Sequence, residues 1–201
     1  MAFSTTTKNE AEHFLPLFEG AHYDYLVALE NQVKAGKKYQ TQVKTIRLYI
    51  SHFIQVLNFS VTRNEIKKEY KRLYGLDPIN FTVPDLSTEG SLLLWGERII
   101  KGEQERIRNG GAPIYNPAIA KVRVHYDIFK DANTSQKIHQ KCTNRSLEQL
   151  AAHRTKADEI ILNIWNEVED FYKTLPEESR RVHCQAYGLQ YYYRKNEIQN
   201  D

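Results

Sequence analysis

The run from Thr41 to Leu76 constrains the fold of this chain more than any other stretch. Val43, Ile46, Ile50, Phe53 and Leu57 recur at steps of three and four, which lines five apolar side chains along one face of a helix. Tyr49, Ile54 and Val56 widen that stripe, which suits a bundle better than a two-stranded seam. Past Ser60 the pattern continues in a shifted phase through Ile66, Tyr70 and Leu73, with Lys67, Lys68, Glu69, Lys71 and Arg72 on the exposed side. Gly75 is placed to close the helix in the left-handed conformation, and Leu76 to fold back on its last turn. A single helix over 41–74 would be about 50 Å long, so a kink is expected near Ser60 to Thr62.

Before this run, residues 1–9 are small and polar and are expected to fray. Phe14, Phe18, Ala21, Tyr25, Ala28 and Leu29 mark a first helix near 14–35, with Pro16 in its first turn. Gly36-Lys37-Lys38 reads as a short link that makes the first two helices antiparallel neighbours. After Gly75, Pro78 and Pro84 forbid a helix, and Ile79, Phe81 and Val83 are expected to pack the connection down. Ser87 or Thr88 caps a helix near 88–109, inside which Gly96 and Gly102 permit close approach of a neighbour. Asn116-Pro117 reads as a helix start, with Asn as cap and Pro at the first position. Helices are predicted near 117–131 and 147–175, separated by Asp131 to Ser135. The second carries Ala157, Ile161, Ile164, Val168, Phe171 and Leu175 on one stripe. Glu177 and Glu178 open a last helix that ends at Tyr187-Gly188.

The predicted fold is therefore all-α: an antiparallel up-and-down four-helix bundle built from two helical hairpins, with additional connecting and C-terminal helices. Residues 1–201 form a single domain, with related halves at 14–76 and 117–189 and a connector at 77–116. Two readings of the halves stand side by side. Ile46–Leu76 and Glu159–Leu189 align without a gap and both end Tyr-Gly-Leu, and His22-Tyr23-Asp24 recurs as His125-Tyr126-Asp127. These matches mark a duplication, or they are chance triplets at ordinary helix stops.

Bulk properties narrow the function classes. The chain is 41% hydrophobic and 26% charged, with a net charge of +3. That basic bias is too weak for a nucleic-acid binder defined by charge alone. No apolar stretch approaches the roughly 20 residues of a membrane span. The N-terminus lacks a basic start followed by an apolar run. Cys142 and Cys184 make no disulfide framework. A cytoplasmic protein without membrane association is expected.

No catalytic, cofactor-binding or metal-ligating set emerges. His22/Asp24 and His125/Asp127 sit at i and i+2, which point apart on a helix. Glu10-Ala11-Glu12-His13 supplies one Glu-x-x-His where a diiron bundle needs two. Neither cysteine has a nameable base. Gly110-Gly111-Ala112-Pro113 lacks the lysine and the preceding strand of a phosphate loop. What is left is basic residues interleaved with aromatics. Lys67, Lys68, Lys71, Arg72, Arg180, Arg181, Tyr192, Arg194 and Lys195 are the candidate nucleic-acid or anion contacts. Their structural alternative is a solvated helix face and a docking tail.

Leu48 to Asn58 and Trp95 to Glu103 resemble segments of uncharacterised bacterial proteins of similar size. The resemblance extends from about residue 15 to 190. It implies an up-and-down four-helix bundle and brings no activity, cofactor or site residue. The leading expectation is a non-enzymatic interaction or scaffold protein that binds a protein partner or itself. The alternatives are a nucleic-acid binder using the basic clusters and a metal-dependent helical-bundle enzyme.

Overall fold

The computed structural model describes residues 1–192. Those residues are helical without a strand: α1 Thr5–Thr62, a 3₁₀ segment Lys68–Tyr74, α2 Glu89–Arg108, α3 Ile119–Phe171 and α4 Glu177–Gln185. None of these helices is long and apolar enough to cross a membrane. The chain divides into two compact units. A terminal unit comprises Met1–Ala28 with Thr143–Asp201, and a middle unit comprises Leu29–Cys142.

The all-helical expectation holds, but the helix expected near 14–35 and the one expected near 41–74, as far as Thr62, form one long helix, and those near 117–131 and 147–175, from Ile119 to Phe171, form another. The hairpin link expected at Gly36 is instead continuous helix. A lone glycine costs a helix only about 1 kcal/mol, and the half-buried stripe runs straight across it through Ala28, Gln32, Ala35, Tyr39 and Val43. The break expected at Asp131 to Ser135 is absent for the same reason, since Phe129, Ala132, Gln136, His139 and Thr143 keep the three-four spacing. Pro16 lies inside α1, not in its first turn. The carbonyl it frees belongs to Glu12, which is exposed to water.

In the middle unit, Ile46, Ile50, Phe53, Ile54 and Leu57 of α1 are fully buried. They pack with Leu92, Ile99 and Ile100 of α2 and with Val122, Tyr126 and Phe129 of α3. α1 and α3 run antiparallel here: Tyr39 stacks on Phe129 at 6.0 Å and Tyr49 on His125 at 4.2 Å. Each glycine of α2 that is buried admits a neighbour. A methyl at Gly96 would lie 2.4 Å from the Tyr126 ring, and one at Gly102 would lie 2.6 Å from the Tyr74 ring and 2.8 Å from the Leu73 carbonyl oxygen. Thr88 caps α2 through a reciprocal bond with Ser91. In its first turn, Glu89 accepts from Asn133 at 2.9 Å, Lys137 at 2.6 Å and Tyr39 at 3.3 Å.

Three local expectations change. α1 ends at Thr62 and the chain turns through Asn64, at φ 58°, before the 3₁₀ segment. The segment closes as expected, with Gly75 at φ 69° and Leu76 buried. Asn116-Pro117 is a cis peptide in a turn bridged by Tyr115 and Ala118, and α3 starts at Ile119 rather than at the proline. In the 77–88 connection Ile79 and Phe81 are exposed, and the anchor is Leu86. Arg47 holds that anchor by donating to the carbonyls of Leu86 and Ser87.

In the terminal unit, α1 and α3 form an antiparallel pair. Thr7, Ala11, Phe14, Phe18, Ala21, Tyr25 and Ala28 face Thr143, Ser146, Leu150, His153, Ala157, Ile160 and Ile164, and both series step by four and three. Phe14 meets His153 at 5.9 Å, Thr7 donates to Glu167 at 2.6 Å, and Thr143 donates to the Ala28 carbonyl at 3.1 Å. The first residues are held rather than frayed: Ala2 is buried with Val168, Cys184 and Leu189. Ile161 and Phe171, expected on the buried stripe, are exposed, because the seam passes through Ile160 instead.

The Glu89 bonds define a pH dependence. Bonds from Lys137 and Asn133, outweighing burial, hold the carboxyl below its ordinary 4.5. A depressed folded-state value stabilises above the unfolded value, and that contribution is lost as pH falls through the folded one. Glu89→Gln should therefore lower the urea midpoint at pH 7, and the difference from the parent should shrink steadily as pH falls below 4.5.

Candidate functional site

The middle unit buries a charged network that its apolar pattern conceals. Glu103 and Arg106 lie on the buried face of α2 and are almost fully buried. Arg106 Nε donates to Glu103 Oε2 at 2.9 Å and to the Tyr74 hydroxyl at 2.8 Å, and Nη2 donates to Glu103 Oε1 at 2.8 Å. The Tyr74 hydroxyl donates to Glu103 in turn. Burial, then the Glu103 carboxylate, raises the Tyr74 phenol far above its ordinary value, so it keeps its proton. The network also seizes the loop after α2: Arg106 Nη2 donates to the Ala112 carbonyl and Ile114 N–H to Glu103, at 2.8 and 2.9 Å.

This loop, the end of α1 and the 3₁₀ segment enclose a cleft of about 560 Å³. Arg63, Glu65, Ile66, Lys67, Tyr70 and Arg106 are among its lining residues. Of the sequence-predicted basic contacts among the described residues, only Lys67 lines it. Lys68 and Arg72 are exposed elsewhere on the same segment. Lys71 is fully buried, contrary to its expected exposure. Its ammonium donates to the Asn80 carbonyl at 2.5 Å and sits 4.0 Å from the centre of the Phe81 ring. Burial, partly offset by Asp77, holds its pKa below the ordinary lysine value. The Gly110-Gly111 turn makes no phosphate cradle, because its amides donate back to the carbonyls of Ile107 and Arg106.

The other basic candidates belong to the terminal unit. Arg180 and Arg181 are half-buried on α4, where Arg181 pairs with Glu177, and Tyr192 is exposed. Arg194 and Lys195 lie outside the described residues.

Along α3 that unit displays two unlike flanks, while α1 leaves Leu17 and Val27 exposed on one and Glu12, Glu19 and His22 on the other. In an antiparallel pair, the residues that follow seam positions on either helix fall on the same flank. On this flank stand Leu15, Leu26, Leu147, Ile161 and Trp165, each between 38% and 53% exposed. The α3 residues that precede its seam positions make the opposite flank polar, with Arg145, Gln149, Lys156, Glu159 and Asn163. Lys156 pairs there with Glu10.

Among the described residues, no group of three or more His, Cys, Asp or Glu side chains is arranged to hold a metal. The His22-Asp24 and His125-Asp127 pairs fall in different units. Cys142 is exposed, and Cys184 is buried beside Ala2 and Val168. The sequence carries a signal for the buried network: Leu92, Gly96, Ile99, Glu103 and Arg106 share one three-four spacing.

No protein-family model matches the chain, and neither a curated protein nor a solved structure shows significant similarity to it.

Gly102 supplies a direct check on the network. Alanine there should gain up to about 1 kcal/mol of helix propensity. It must also displace Tyr74 and the Leu73 backbone, an overpacking cost of about 1–3 kcal/mol. Gly102→Ala is expected to lower the unfolding free energy in urea denaturation; a stabilised variant would contradict the close approach.

Proposed function

We propose that this chain is a non-enzymatic helical interaction protein that pairs with a second copy of itself through the apolar flank of its terminal unit. What supports the reading is the symmetry of that flank. Leu147 and Trp165 lie nine residues either side of Lys156 along α3, Ala151 and Ile161 five, and Arg154 and Asp158 two. All six follow seam positions. Leu15 stands beside this midpoint, since its neighbour Phe14 touches His153.

A twofold axis through the midpoint would set Leu147 of one copy against Trp165 of the other. It would set Arg154 against Asp158 twice over. Such a patch is self-complementary, as an isologous interface requires. Neither Arg154 nor Asp158 has an ion partner among the described residues, so each is available. Two copies of a helix pair make four helices, so the four-helix bundle expected within one chain would be completed between two. A second copy would also cover apolar side chains that a lone helix pair leaves in water.

Light scattering on the eluting protein tests this. The account expects a species of twice the 23.6 kDa chain mass. Leu15→Glu should dissociate it. Arg154→Asp and Asp158→Arg should each weaken pairing by about tenfold, and the double exchange should restore it. A single-chain mass at every concentration, or pairing unaffected by Leu15→Glu, would overturn the reading.

A further inference from the structure

The cleft of the middle unit has no part in that association, and its chemistry points to a different partner. We infer that it binds a small amphiphilic monoanion, a carboxylate carried on an aromatic or branched apolar group. Charge sets the first half of the ligand. Arg63 is gripped by Glu65, with Nε and Nη2 donating at 2.6 and 3.0 Å. Arg106 is gripped by Glu103 along the same Nε and Nη2 edge. Each guanidinium thus brings its own carboxylate, and Nη1 of each makes no hydrogen bond within the described residues. Lys67, at the mouth, brings no carboxylate. The cleft therefore carries one cation in excess, together with two guanidinium nitrogens that have donors to spare.

Geometry sets the size and the second half of the ligand. A volume near 560 Å³ falls in the range of small-molecule sites, about 300–1,000 Å³. Val56, Ile66, Tyr70 and Pro113 give the walls apolar surface. Tyr115 also lines the cleft and is 82% exposed, which offers a flat face for a ligand to cover. Glu65 also lines the cleft and repels a dianion, so one carboxylate suits the site better than a phosphate. The cleft is preformed. Buried Arg106 lies in its wall, fixed by Glu103, Tyr74 and Ala112. Gly111 lets that guanidinium approach the loop, since a methyl there would sit 2.7 Å from Nη1.

The test is a nitrogen–proton correlation titration of the full chain with sodium benzoate, set against benzyl alcohol and inorganic phosphate. Benzoate should shift amides in 60–70 and 106–115, and each control should bind about tenfold more weakly. Lys67→Met should weaken benzoate about tenfold and Tyr115→Ala about threefold. Lys68→Met, on an exposed neighbour outside the cleft, should change nothing. All three substitutions fall on exposed side chains, and an unchanged spectrum elsewhere verifies the fold. Shifts confined to other surfaces, phosphate as tight as benzoate, or Lys67→Met no weaker than Lys68→Met would each overturn the proposal.

Discussion

Two packed helices can hide only one stripe on each, and that limit governs the terminal unit. Its seam is regular but mixed: between Phe14, Phe18, Tyr25, Leu150, Ile160 and Ile164, small or polar threonine, alanine, serine and histidine occupy positions where a self-sufficient pair would place leucine or isoleucine. The strongly buried apolar side chains gather near one end, where Ala2, Val168, Cys184 and Leu189 meet. On α3, Leu147, Ile161 and Trp165, which could have deepened the seam, stand on one flank. Burial of those side chains is worth about 25 cal/mol per Å² removed from water, so an uncovered flank is a standing incentive to associate.

The middle unit solves the same problem within the chain. There α2 and the 3₁₀ segment add a third layer, and fifteen buried hydrophobic residues form one cluster. The price of that third layer is a charged pair in its interior. Breaking such a pair costs about 3–5 kcal/mol because one charge is left stranded. The Glu103–Arg106 pair is bonded by Tyr74, Ala112 and Ile114, and those bonds pin the loop that walls the cleft. Stability and site shape therefore rest on the same hydrogen bonds.

Much of the middle unit was legible in the sequence. The stripe from Val43 to Leu57, the Thr88 cap, the close approaches at Gly96 and Gly102 and the Gly75 closure all follow from spacing and backbone chemistry. The continuity of α1 and α3 did not. It is carried by Gln32, Ala35, Gln136, Thr143 and Ser146, which keep helical spacing without being apolar, so a search for hydrophobic periodicity stops at Gly36 and Asp131. The stripe near Ile161 was misphased by one residue because two isoleucines adjoin there and either can continue it. The burial of Lys71 depends on Phe81, ten residues on across a loop, which no local pattern encodes. The cleft was visible only as Lys67; Arg63 and Arg106 join it because the chain, turning at Asn64, brings the end of α1 and the end of α2 to the same cavity.

Hydrogen exchange measured across a dilution series tests the central claim, that the terminal unit is completed by a second copy, most directly. Amides of Ile160 to Val168 should be protected at high concentration and lose protection on dilution, while those of Ile50 to Leu57 should stay protected throughout. Protection at Ile160 to Val168 that is independent of concentration would mean the helix pair stands alone, and would contradict the account.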